Sequence, residues 1–431
     1  MTMTDSHLYS MKKSNSQSCL ESLFFKHTVQ THKQLKTKRK MPSTIRPRPT
    51  NVGILGIELY VPHEYVDQKD AEIRDACVGK YTQGLGQSQM AVWDDNSEDA
   101  QSMALTVVER LIHRNMLLTD AIGRVDFGTE SLLDCAKSGK TVLMRLFGEN
   151  SRVEGATHLN ACSGGAAALF AACAWVQSDA WDGRLAVVVA SDTAKYAPDS
   201  RASATGGAGA VAMLIGPDAP LVLGANRSTH CVDVHDFWRP SGELYPRVQA
   251  DLSKNTYLDV LTRCAKDMLN VNDAHTLGDP SSHETGTCNY HHVMLHSPYC
   301  KLARKGFDRL CQLGLMNGRD TVRRGSTHAE NVDIEFHRRT APSLTTATSV
   351  GNMYTASLFA GLHATLSQGA MKPGQSALMY SYGSGAVGTL FEMHMRAEFS
   401  SRCVGGTDLS QRLRIGLDDT PKSPRVEAVW Y

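Results

Sequence analysis

The sequence predicts an internally duplicated α/β fold, and three observations carry that prediction. Two stretches repeat the order helix, apolar strand, Gly-x-Gly-Ala-Val turn, strand. The strands are continuous apolar runs such as Leu185–Ala190, the pattern of a sheet covered on both faces. With 431 residues, of which 42% are hydrophobic and 21% charged, the chain is long enough to bury a large core.

In the first half, a helix containing Ala168-Leu169-Phe170-Ala171 precedes the strand Leu185–Ser191 and the turn and strand Gly207–Leu214. In the second, a helix containing Ser357-Leu358-Phe359-Ala360 precedes the strand Ser376–Tyr382 and then Gly383–Leu390. Residues 51–222 and 223–431 form the two related halves, and residues 1–50 form a separate extension. The helix start at Asn160-Ala161-Cys162 then corresponds to Gly351-Asn352-Met353-Tyr354. Packed about a pseudo-dyad, the halves bring Asn352 and the turn Gly383-Ser384-Gly385 towards Cys162.

Cys162 opens a helix too apolar to face water. Unpaired N–H groups and the helix dipole favour thiolate over thiol there, so Cys162 is expected to be a nucleophile of lowered pKa. A buried structural cysteine is the competing reading. Gly164 and Gly165 favour the nucleophile, because they admit another backbone or a ligand. The 11 cysteines contain no Cys-x-x-Cys pair, and His291, His292 and His296 lack a further ligand at metal spacing. No metal site is expected.

Forty-five basic against 44 acidic residues leave no field to attract nucleic acid, and no apolar run nears the roughly 18 residues of a membrane span. Residues 1–50 hold ten Lys or Arg against Asp5 and Glu21 alone. That bias reads as a mitochondrial transit peptide, with a cytoplasmic protein carrying a disordered tail as the alternative.

Seven segments, in order, resemble the hydroxymethylglutaryl-CoA synthase family of the thiolase superfamily. They are Gly79–Gln87, Gly128-Thr129-Glu130, Asn160-Ala161-Cys162, His235-Asp236-Phe237, His296–Lys301, Gly351–Thr355 and Ser381–Gly385. The resemblance spans about residues 51 to 400 and implies a duplicated thiolase-like fold in layers α-β-α-β-α. It implies condensation of acetyl-CoA with acetoacetyl-CoA and water through an acetyl-cysteine, in isoprenoid or ketone-body metabolism, with no cofactor and with a homodimer. Cys162 takes the acetyl group, Glu130 removes a methyl proton, and His296 supplies positive character beside the ketone. Asp192 and Asp236 support the site, and His230 either lies near the thioester or is structural. Lys301 and Lys305, four apart on one helical face, meet CoA phosphates; Lys80, Ser253 and Asn352 are further CoA or substrate contacts. The N–H groups of Cys162 and Ser384 are the expected oxyanion donors.

Three departures stand out. The residue after the nucleophile is commonly aromatic in the family but is Ser163 here, which is expected to open space beside the thioester. The stretch between Lys305 and Gly351 is short, and the sequence ends at Val426–Tyr431, a β-strand pattern, where the family continues into a basic tail. A catalytically weak paralogue serving as a binding subunit, or another thiolase-fold condensing enzyme, remain the competing functions.

Overall fold

The computed structural model describes residues 48–94, 97–193, 195–197, 200, 202–240, 242–276, 290–316 and 327–417. The expected extension, up to residue 47, and the expected strand at Val426–Tyr431 lie outside the described residues.

From Arg48 onward the duplication is visible in the topology. The first half runs β1 (Gly53–Tyr60), α1 (Ala100–Arg114), β2 (Ile122–Thr129), the short β3 (Thr157–Leu159), α2 (Gly164–Val176), β4 (Leu185–Thr193) and β5 (Ala208–Gly216). β4 lies parallel to β2 and antiparallel to β5, and β5 lies antiparallel to β1. The second half runs β6 (Leu221–Cys231), α3 (Ala250–Thr276), β7 (His292–Leu295), α4 (Cys300–Gln312), α5 (Thr345–Val350), α6 (Ser357–Ser367), β8 (Ser376–Gly383) and β9 (Val387–Met395). There β8 is parallel to β7 and antiparallel to β9, and β9 is antiparallel to β6. The equivalent first strands, β1 and β6, pair antiparallel through Gly53↔Val222 and Ile54↔Leu221, as a two-fold relation requires. Among the described residues these pairs link both halves through a continuous path of nine strands.

Strand periodicity sets the layers. Along β4, Val187 and Val189 turn towards Met103, Val107 and Leu111 of α1, while Val188 and Ala190 turn towards α2. Along β8, Leu378, Tyr380 and Tyr382 face Tyr257 and Leu261 of α3, whereas Ala377 and Met379 join the cluster of α2 and α6. The order is therefore α1, sheet, α2 with α6, sheet, α3 with α4. α1 has the apolar stripe its place demands, and its start is fixed by a reciprocal cap between Asp99 and Ser102, with Ser102 N–H donating to Asp99 Oδ1 at 2.6 Å.

α2 sits in the middle layer because it has almost no side chains at its first turn. A Cβ on Gly165 would stand 2.4 Å from the carbonyl oxygen of Thr355, just before α6. The same glycine contact brings the nucleophile's helix against the opposite half. One sequence expectation fails here: α2 is apolar throughout, yet Ala167 and Ala174 are exposed and Phe170 and Ala171 half-buried. The middle layer reaches the molecular surface along that stripe. Because Gly165 has a backbone oxygen rather than a flexible side chain in its way, Gly165→Ala should destabilise the protein by about 1–3 kcal/mol. Urea unfolding of the two proteins checks it; equal midpoints would show the helices are not in tight contact.

Candidate active site

Cys162 lies in the turn between β3 and α2, two residues ahead of the helix. Its φ of 56° is left-handed, a conformation that costs a side-chain-bearing residue on the order of 1–2 kcal/mol. Neighbouring bonds hold the turn: Ser163 N–H to Ala161 O at 2.7 Å and Gly164 N–H to Asn160 O at 3.2 Å. The Cys162 N–H donates to Glu130 Oε2 at 2.6 Å. That amide, expected to serve an oxyanion, is thus engaged by the neighbouring carboxylate in the structure.

Glu130 follows the end of β2 and is half-buried. Burial first, and then the nearby charge of Asp192, push its carboxyl up to about 8. The thiol moves the other way from the sequence expectation. Burial and the charges of Glu130 and Asp192 raise it well above the ordinary thiol value, outweighing a lowering hydrogen bond from the Asn352 side chain. A helix N-terminus alone does not make the thiolate here, because two carboxyl groups face it. Both groups therefore hold their protons more tightly than they would in water.

Asp192, at the end of β4, is fully buried and binds both halves. Oδ1 accepts from Thr129 Oγ1 at 2.7 Å, Glu130 N–H at 2.7 Å and Ser131 N–H at 3.1 Å. Oδ2 accepts from Thr355 N–H at 3.0 Å and from the Thr355 hydroxyl. The duplication's prediction for Asn352 holds: it lies beside the thiol. Its Oδ1 accepts from Tyr354 N–H at 2.9 Å and Ser357 Oγ at 2.8 Å, which leaves its amide nitrogen for the sulfur.

The Gly383-Ser384-Gly385 turn also arrives where expected. A Cβ on Gly383 would stand 2.0 Å from Ala161 O and 2.6 Å from Ser163 Oγ. Ser163 is itself buried and packs against this turn. Ser384 is half-buried at the tip. Asp236, fully buried, holds the turn: Gly385 N–H donates to Oδ1 at 2.8 Å and Tyr382 OH to Oδ2 at 2.9 Å.

His296 follows β7, with its ring 1% exposed and neither nitrogen hydrogen-bonded to any described residue. Its backbone is fixed instead, by N–H to Tyr380 O at 2.8 Å and by Tyr257 OH to its carbonyl at 3.0 Å. Burial pushes the imidazole down to about 3, so it is neutral at physiological pH. Burial thus works against the positive character expected from this ring. His291 and His292 turn elsewhere, to Ser376 N–H and Gln375 Oε1.

His230 has a partner on a neighbouring helix. Its Nε2 bonds Asp267 Oδ2 of α3 at 2.7 Å, alongside Ser228 Oγ at 2.8 Å, which ties β6 to α3. The lysines group as the helix spacing predicted. Lys301 and Lys305 are exposed one turn apart on α4, and Gly86, at the end of the exposed one-turn segment bearing Lys80, packs on Cys300 and Lys301. Ser253, half-buried in the first turn of α3, donates its N–H to Gln249 O at 2.8 Å. Sequence reading missed Thr129, Thr355, Tyr382, Tyr196 and Tyr354. Tyr196 OH and Tyr354 OH are 3.4 Å apart, and both phenols feel the charges of Glu130 and Cys162. All but Tyr196 sit inside the quoted segments and needed only their neighbours to be known.

A thiol, a proton-accepting carboxyl and a neutral imidazole on a duplicated α/β fold define an acyl-transferring condensing enzyme of the thiolase-like class. Residues 48–220 match the hydroxymethylglutaryl-coenzyme A synthase N-terminal family, and residues 221–334 and 326–424 match its C-terminal family. The chain belongs to the hydroxymethylglutaryl-CoA synthase family. It is 40% identical to the cytoplasmic synthase of Gallus gallus, over 80% of this chain and 72% of that protein. With the synthase of Mycosarcoma maydis it shares 39%, over 89% of each. A solved structure of MvaS in complex with 3-hydroxy-3-methylglutaryl coenzyme A matches with a TM-score of 0.76 and 30% identity, over 87% of this chain and 91% of that one.

The raised thiol gives a signed test. Alkylation of Cys162 by iodoacetamide should still be climbing with pH above the ordinary thiol range. Glu130→Gln removes a negative neighbour and should bring the apparent pKa down by roughly one unit or more. Peptide mass analysis across pH reads it, and an upward shift would remove Glu130 from the thiol's surroundings.

Proposed function

We propose that Cys162, Glu130 and His296 carry out the condensation of acetyl-CoA with acetoacetyl-CoA and water to give 3-hydroxy-3-methylglutaryl-CoA. The observation that supports this reading is the 2.6 Å bond between Glu130 Oε2 and the Cys162 N–H, which holds the carboxyl beside the nucleophile. Cys162 Sγ attacks the acetyl-CoA carbonyl, the thiol proton passes to the departing CoA sulfur, and acetyl-cysteine remains. Glu130 then takes a methyl proton, and the carbon adds to the ketone of acetoacetyl-CoA. The neutral His296 N–H donates to the developing alkoxide, and the proton held by Glu130 is returned to that oxygen. Water then cleaves the Cys162 thioester, leaving one CoA on the product. Once Glu130 turns to the methyl group, the Cys162 N–H is released to join the Ser384 N–H as an oxyanion donor. The reaction draws on no metal and no cofactor.

Lys80, Lys301 and Lys305 meet the CoA phosphates at the exposed face of α4, with Ser253 on the neighbouring helix start and Asn352 at the reacting end. The chain works as a homodimer: the apolar stripe of α2 and the edge strand β3, whose Leu159 is 64% exposed, are surfaces that a second copy would cover. Relatives include cytoplasmic and mitochondrial forms, and the basic start of the chain favours mitochondria.

Labelled acetyl-CoA separates the roles. Cys162→Ala should take up no label, while Glu130→Ala should still be acetylated yet lose condensation by a factor on the order of 10²–10⁴. Label on another cysteine, or equal loss of both steps in Glu130→Ala, would overturn the assignment. Light scattering at micromolar concentration should give twice the chain mass, falling towards one chain mass in Leu159→Lys; a wild-type monomer ends the dimer reading.

A further inference from the structure

Arg412 is the feature that the catalytic reading leaves unused. It is 7% exposed, and among the described residues it has no carboxylate partner. Its guanidinium donates only to peptide oxygens: Nη1 to Ser349 O at 2.7 Å, Nε to Pro62 O at 3.3 Å and Nη2 to Glu64 O at 3.3 Å. The guanidinium carbon lies 4.8 Å from the centroid of the Tyr65 ring, and burial pulls its pKa down to about 10. Burying a cation without an anion is expensive, so a merely space-filling role would be served better by an apolar chain. Three carbonyls converging on one side chain instead describe a clamp.

What the clamp grips is the end of α5, three residues before Asn352. Thr348 O is held as well, by Ser88 N–H at 2.8 Å. Gly351 then turns with φ 91°, and a Cβ there would be 2.1 Å from Gly206 O, so the chain has one way through. On the far side Asn352 N–H is tied to Thr205 O at 2.9 Å. Between these anchors the Asn352 amide reaches Cys162. We propose that Arg412 is a positioning residue: by clamping Ser349 O it fixes the turn that holds the Asn352 side chain against the Cys162 sulfur. The segment that follows β9 thereby becomes part of the active-site scaffold. This rests on Cys162 being the nucleophile.

The test reads Cys162 itself. The thiol is faced by Glu130, Asp192, Tyr196, Tyr354 and Tyr382 as well as Asn352, and Arg412→Met leaves all of those in place. In Arg412→Met, the pH profile of Cys162 alkylation by iodoacetamide should move up by roughly one unit, about tenfold slower at fixed pH. Asn352→Ala should give the same shift, and the double variant no more than either alone, because both act through one hydrogen bond. Arg412→Lys, which can still donate to Ser349 O, should recover at least half of it. In steady state kcat should fall while the KM for acetoacetyl-CoA stays unchanged. A profile that does not move while the melting temperature drops, or shifts that add in the double variant, would make Arg412 structural only. If Arg412→Met does not fold, Arg412→Gln decides, and an unshifted profile in it overturns the proposal. Failure of the nucleophile reading shows separately, as acetyl label away from Cys162.

Discussion

The carboxylate of Asp192 is the interaction on which the site depends. It ends a central strand of the first half, yet one of its oxygens is bound by Thr355, which belongs to the second. Its other oxygen orders Thr129, Glu130 and Ser131. A buried carboxylate without such donors would be costly, and with them it fixes the start of the Glu130 segment relative to the Asn352 turn. Glycine contacts do the rest. Gly165 lets α2 meet the Thr355 carbonyl, and Gly383 lets the Ser384 turn meet Ala161. The two halves therefore touch closely where the chemistry is placed.

That closeness has an electrostatic consequence. Glu130 and Asp192 share one pocket with a thiol, so each negative charge makes the next harder to form. Burial raises the Glu130 carboxyl and the Cys162 thiol together, and the protein holds fewer charges there than its residues permit. A carboxyl near 8 is a stronger base than an ordinary glutamate, which is what removing a proton beside a thioester requires. His296 is the complement: walled in by Tyr257 and Tyr380 through its backbone, it stays neutral and keeps both ring nitrogens available.

Much of this was legible in the sequence. The repeated helix–strand–turn–strand order fixes the duplication, since continuous apolar strands and Gly-x-Gly turns allow little else. From it the approach of Asn352 and Gly383 to Cys162 followed before any geometry was known. Lys301 and Lys305 fall on one face of α4 because helix spacing alone places them.

Other properties belong to the tertiary structure. Whether a cysteine at a helix start is acidic depends on which charges face it, and Glu130 comes from 32 residues earlier. The partner of His230 is set by α3 packing on β6, which places Asp267 against it. The exposed stripe of α2 was hidden because composition reports how apolar a helix is and not which layer reaches the surface. Local sequence determined the elements, their repetition and the reactive groups. The protonation of those groups was decided only by the fold, because charge and burial act through space between residues the chain keeps far apart.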